Sequence, residues 1–117
     1  GILKILNQNG YIAYSAITAT TRFDHYFRHL YRIYKFVDTS CLIEDDERYE
    51  YTCIIRSQLS DYELVMLFYN CLTPNGREKF KPLIEKYSVF KNLRYELLAK
   101  SRDREEYAQS AYNRFTM

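Results

Sequence analysis

The sequence predicts an all-α fold, a compact multi-helix bundle of about five helices with no sheet. Apolar residues recur at steps of three and four along most of the chain, and no segment alternates apolar and polar residues over a strand's length. Ser60 followed by Glu63 forms the capping-box pattern of a helix start. Leu64, Val65, Met66, Leu67, Phe68, Tyr69, Cys71 and Leu72 then leave almost no polar face, the signature of a helix surrounded by partners. This segment is expected to be the central helix.

The other elements follow in order. Residues 1–10 read as a linker, or the tail of an upstream element missing before Gly1, because an apolar start ends in Asn7-Gln8-Asn9-Gly10. Residues 11–117 then read as a single helical domain. Phe23, Phe27, Leu30, Tyr34 and Val37 make one stripe of a long first helix running from about Tyr11 to Val37, bent near Thr18, Thr20 and Thr21 or starting there. Glu44, Asp45, Asp46 and Glu47 suit the positive end of the next helix, with Tyr51, Ile54, Ile55 and Leu59 as its apolar face. After the central helix, Thr73-Pro74-Asn75-Gly76 predicts a chain reversal with an exposed tip. Phe80, Leu83, Ile84 and Tyr87 resume helical spacing, with Pro82 as a kink or a fresh start. Phe90, Leu93 and Leu97 continue it, and Tyr107, Ala108, Ala111, Tyr112 and Phe115 form a last stripe beyond a charged joint at 101–106.

Composition narrows the function classes. Thirteen tyrosines, seven phenylalanines and no tryptophan imply an aromatic core with phenol hydroxyls at its edge. The net charge of +2 is spread unevenly, from −3 over 41–57 to +4 over 76–100. This points to complementary faces, within the fold or between copies, more than to a polyanion-binding protein. Cys41, Cys53 and Cys71 lack the spacing of a disulfide framework or zinc knuckle and read as small apolar core residues. No apolar run reaches the ~20 residues that cross a bilayer.

Candidate chemistry concentrates on the first long helix. Arg28, Arg32 and Lys35 make a basic ridge at i, i+4 and i+7, beside Tyr31, which can stack on a base. A solvated face, or pairing with the acidic 44–50 segment, explains the same ridge. Arg22 and His29 satisfy a loose Arg-x(4–6)-His pattern, in which histidine serves as acid or base and arginine holds phosphate. His25 and His29 stand one turn apart without a third ligand, and the acidic run lacks the glycine of a calcium loop, so no metal and no cofactor is implied. Arg56 and Asn70 flank the capped helix as polar anchors or as contacts for a ligand or partner.

The blocks Asp24-His25-Tyr26-Phe27-Arg28-His29-Leu30-Tyr31-Arg32-Ile33, Ile55-Arg56-Ser57-Gln58-Leu59-Ser60, Glu63-Leu64 and Leu67-Phe68-Tyr69-Asn70 resemble the phage abortive infection protein family of AbiC type. Leu83-Ile84-Glu85-Lys86-Tyr87 and Lys91-Asn92-Leu93 also fit. The resemblance spans about residues 22 to 95 and implies a bacterial antiphage role, in which infection triggers arrest or death of the host cell. It transfers no catalytic pattern. It also implies membrane-spanning helices upstream, so that this chain is the cytoplasmic portion of a protein anchored to the inner membrane. The matching positions Tyr26, Phe27, Arg28, Leu30, Tyr31, Arg56, Leu59, Ser60, Glu63 and Asn70 carry over only as members of those blocks.

The expected function is a non-enzymatic sensing and interaction module that contacts a phage or host protein and a second copy of itself. Tyr26, Arg28, Tyr31, Arg32, Arg56 and Asn70 are its binding candidates, and Ser60 and Glu63 its structural cap. The alternatives are a HEPN-like ribonuclease toxin using Arg22 and His29, or a nucleic-acid sensor using the basic ridge.

Overall fold

Leu64 to Tyr69 are buried without interruption, so the chain must supply cover on every side of one helix. The computed structural model describes residues 23–113. Within them lie five α-helices: α1 (Phe23–Thr39), α2 (Asp45–Ser57), α3 (Asp61–Asn70), α4 (Pro74–Lys79) and α5 (Lys81–Lys86). Short 3-10 turns follow at Tyr95–Leu97, Ser101–Glu106 and Gln109–Ala111. No strand occurs among the described residues. Residues 1–10, the stretch of the first helix before Phe23, Arg22 and Phe115 lie outside them.

The capping box starts α3 as the sequence predicts. Ser60 Oγ accepts from the Glu63 amide at 3.2 Å, and the Ser60 amide donates to the Glu63 carboxylate at 3.0 Å. Tyr26 of α1 donates its hydroxyl to the other oxygen of the same carboxylate, tying α1 to the start of α3. Burial pushes the Glu63 carboxyl up, but the Tyr26 and Ser60 hydrogen bonds outweigh it and leave it below the ordinary value.

Phe27, Leu30, Tyr34 and Val37 form the buried stripe of α1. Arg48 of α2 closes this helix, with Nη2 donating to Ser40 O at 3.0 Å, Nη1 to Val37 O, and Nε pairing with Asp45 at 2.9 Å. The acidic run therefore serves the α1–α2 corner through Arg48 as well as the start of α2. The inward side of α2 differs from the expected one. Thr52 is buried and Tyr49, Ile55 and Leu59 pack on the core, whereas Tyr51 and Ile54 are 44% and 60% exposed. Spacing from Tyr49 through Thr52 to Ile55 places the threonine on the inner face, because its hydroxyl is satisfied by Tyr49 O at 2.8 Å.

Downstream the structure corrects two expectations and decides between the alternatives of a third. Asn75-Gly76 is not the tip of a turn: Thr73 caps α4, its Oγ1 accepting from the Gly76 amide at 3.4 Å, with Pro74 in the first turn where a missing N–H is harmless. The reversal is confined to Cys71–Thr73. Of the two readings of Pro82, the fresh start holds, since the proline lies in the first turn of a new helix, α5. Finally, Phe90 to Tyr112 holds 3-10 turns instead of two further α-helices, built on bonds such as Leu93 N to Phe90 O at 3.1 Å and Leu98 N to Tyr95 O at 3.0 Å. A repeat of three serves these turns as well as α spacing does over so short a run.

Ser88 ends α5 at φ 50° and is fully buried. Its Oγ donates to Ser110 O at 2.7 Å, and its carbonyl accepts from Arg56 Nη1 at 3.1 Å, so one residue joins α2, α5 and the C-terminal turns. Asp38 of α1 accepts from Lys86 Nζ and from the Tyr87 hydroxyl, both at 2.6 Å. Burial raises the Asp38 carboxyl, but these two bonds prevail and hold it below the ordinary carboxylate value. Cys41 is exposed in the α1–α2 corner, contrary to its expected core position, while Cys53 is half-buried and Cys71 fully buried. Burial pushes the Cys71 thiol well up, which keeps it protonated and inert.

The core leaves one buried side-chain group without a partner among the described residues, the Tyr34 hydroxyl. An unmatched buried hydroxyl costs roughly 1–3 kcal/mol, and phenylalanine keeps the ring that packs 5.7 Å from Phe80. Tyr34→Phe is therefore expected to raise the thermal midpoint, by about 1 kcal/mol of added stability in denaturant melts. A lowered midpoint would show that the hydroxyl is well bonded.

Candidate functional site: a basic cleft between α1 and α4

One face of α1 looks across an open cleft of about 430 Å³ towards the end of α3 and one side of α4. Buried Phe27 and Phe80 form its floor. Half-buried Tyr31 stands edge-on to Phe80 at 5.5 Å and presents the remainder of its ring to the cleft. Arg28 and Arg32, one turn apart on α1, line one wall, and Lys79 lines the other. Asn70, the last residue of α3, contributes from the base of that second wall.

The distance between the walls is set by Gly76. A Cβ at this position would lie 2.5 Å from Asn70 O and 2.7 Å from Cys71 Cα, both backbone atoms that cannot rotate away. Thr73 reinforces the approach, donating its hydroxyl to Asn70 O at 2.6 Å. α4 therefore lies directly against the end of α3, and Lys79 is carried to the cleft.

The charge of the described cleft lining is one-sided. Among the described residues, the lining holds three cationic side chains and no carboxylate. Several cations elsewhere are paired: Arg48 with Asp45, Arg77 with Glu106, Lys86 with Asp38, and Arg94 with Asp61 and Glu96. Neither Arg32 nor Lys79 has a carboxylate within ion-pair distance among the described residues. The Asn70 side-chain amide is also without a hydrogen-bond partner among them, although its backbone oxygen is engaged. Chemically, the arrangement can accept an anion beside an aromatic plane and an amide.

Of the sequence candidates, Arg28, Tyr31, Arg32 and Asn70 converge here. Tyr26 lies next door, in a shallower hollow of about 650 Å³ with His25, Arg28, His29 and Arg32. Arg56 does not line the cleft and instead anchors α2 to Ser88, with a further contact to Cys53 Sγ at 3.6 Å. Lys79, Thr73 and Phe80 are additional cleft residues. Thr73 followed by Pro74 is the sequence signal that could have found them, since a capping threonine before proline opens a helix that carries Lys79 in its last turn. No group of three His, Cys, Asp or Glu side chains suited to a metal occurs among the described residues, and none of their helices is long and apolar enough to cross a membrane.

A family model described as "Putative phage abortive infection protein" matches residues 18–98. The chain belongs to this family. The match runs from the segment before α1 to the turn after Tyr95–Leu97, so it contains every residue of the cleft and the whole of α3. No curated protein and no solved structure matches the chain.

Gly76 offers a direct test of how the cleft is built. Helix propensity alone favours Gly76→Ala by up to about 1 kcal/mol. The clash with Asn70 and Cys71 backbone atoms is expected to reverse this, destabilising the chain by roughly 1–3 kcal/mol in urea unfolding. Unchanged or increased stability would mean that α4 does not lie against α3 in this way.

Proposed function

We propose that this chain is the non-catalytic sensing and interaction module of an abortive infection protein, and that the α1–α4 cleft engages an anionic feature of the infection signal. The observation that carries this reading is the convergence of Arg28, Arg32 and Lys79 on one cleft with Tyr31 and Asn70. Among the described residues, the lining contains no histidine, carboxylate, cysteine or serine to move a proton or attack a bond, and the Thr73 hydroxyl donates to Asn70 O. Exposed Phe36 and Ile54 supply apolar surface for a protein partner, whether phage, host or a second copy.

One observation supports a ribonuclease reading. His25 and His29 share the neighbouring hollow with Arg28 and Arg32, which places an imidazole beside guanidinium groups able to hold a phosphate. Arg22, the other half of the expected pair, lies outside the described residues.

Plating efficiency of phage on cells carrying the gene separates the two. Arg32→Glu and Lys79→Glu, each verified to fold, are expected to lower protection about tenfold or more, with His29→Ala protecting like the wild type. Full protection by both charge reversals would overturn the sensing role of the cleft. Loss at His29→Ala together with loss of RNA cleavage by the purified chain would favour the ribonuclease.

A further inference from the structure

We propose that the ligand of the α1–α4 cleft is a small nucleoside phosphate, its phosphate held by Arg28, Arg32 and Lys79 and its base set against Tyr31 within reach of Asn70. The inference rests on the sensing role given to this cleft and names what it senses. Shape argues for a small molecule: a cleft of about 430 Å³ falls within the ~300–1,000 Å³ range of small-ligand sites, whereas protein partners favour flatter surfaces. Charge argues for phosphate. Arg32 and Lys79, neither with a carboxylate within ion-pair distance among the described residues, match a group bearing more than one negative charge, and the arginine presents forked donors to neighbouring oxygens.

The remaining features argue for a base. Tyr31 has one edge fixed against Phe80, so its orientation is set before any ligand arrives. An aromatic ring held in this way stacks on any base, and stacking contributes about 1–3 kcal/mol per base in nucleic-acid complexes. Asn70 is half-buried at the end of α3 with its side-chain amide unmatched among the described residues. A carboxamide offers a donor and an acceptor together, the pattern that reads the edge of a base. Inorganic phosphate would use the cations and leave both Tyr31 and Asn70 idle.

Calorimetric titration of the 117-residue chain tests this, with ribonucleoside mono-, di- and triphosphates of all four bases, inorganic phosphate and a short single-stranded RNA as separate probes. At least one nucleoside phosphate is expected to bind about tenfold or more tightly than inorganic phosphate. Arg32→Glu and Lys79→Glu should weaken it about tenfold. Tyr31→Leu should weaken the nucleoside phosphate and leave inorganic phosphate unchanged. Failure of every nucleoside phosphate to bind overturns the proposal, as does binding indifferent to Arg32→Glu. RNA binding alone, falling steeply with salt, overturns it in favour of a nucleic-acid surface. If no nucleoside phosphate binds while Arg32→Glu still abolishes protection in cells, the ligand class is wrong and the sensing role stands.

Discussion

The unbroken burial of α3 from Leu64 to Tyr69 is the constraint on which the rest of the structure depends. Each large side chain from Leu64 to Tyr69 contributes up to about 1.5–3 kcal/mol when removed from water, but only if another segment covers it. Phe27, Leu30 and Tyr34 of α1 and Leu83 and Ile84 of α5 share one buried cluster with it. The C-terminal turns add Phe90 and Tyr107, whose rings lie 5.5 Å and 4.8 Å from that of Phe68. A helix enclosed in this way fixes the positions of everything that touches it.

Tyrosine hydroxyls make the enclosure tolerable. A C-terminal segment of short turns leaves backbone polar groups near an apolar core, where each needs a partner. Tyr69 of α3 accepts from the Ala99 amide at 2.8 Å and donates to Asp103 at 2.7 Å, while Tyr107 donates to Phe68 O at 2.6 Å. The tyrosine-rich composition therefore has a structural reason: rings fill the space around α3 and hydroxyls stitch irregular chain to it. The same post positions the cleft, since Asn70 is the last residue of α3 and α4 leans on it through Gly76.

The parts of this arrangement that local chemistry decides were legible in the sequence. The capping box of Ser60 and Glu63, the apolar run after it and the stripe through Phe27, Leu30, Tyr34 and Val37 depend on neighbours three or four residues away. Four of the cleft residues were legible because they share one helix face or end the central helix. Lys79 was not, because Asn75-Gly76 reads as a turn until Thr73 and Pro74 are recognised as the opening of a helix. The inner face of α2 was misread for a different reason. Ile54 and Tyr51 are more apolar than Thr52, but the threonine satisfies its hydroxyl within the helix and can be buried. The C-terminal turns were taken for helices because their spacing is ambiguous and only their docking on α3 decides the backbone.

The sensing role proposed for the basic cleft requires a site held in shape by the buried helix, since a preformed site loses little on ordering when a ligand arrives. This depends on α3 and α4 behaving as one rigid unit in the free chain. Amide hydrogen exchange measures it directly. The amides of Leu64 to Tyr69 should exchange only through global unfolding, with Arg77 and Phe80, bonded to Thr73 O at 2.7 Å and Gly76 O at 2.9 Å, among the next slowest. Exchange in α3 no slower than in the 3-10 turns at 101–106 would contradict the central place given to that helix.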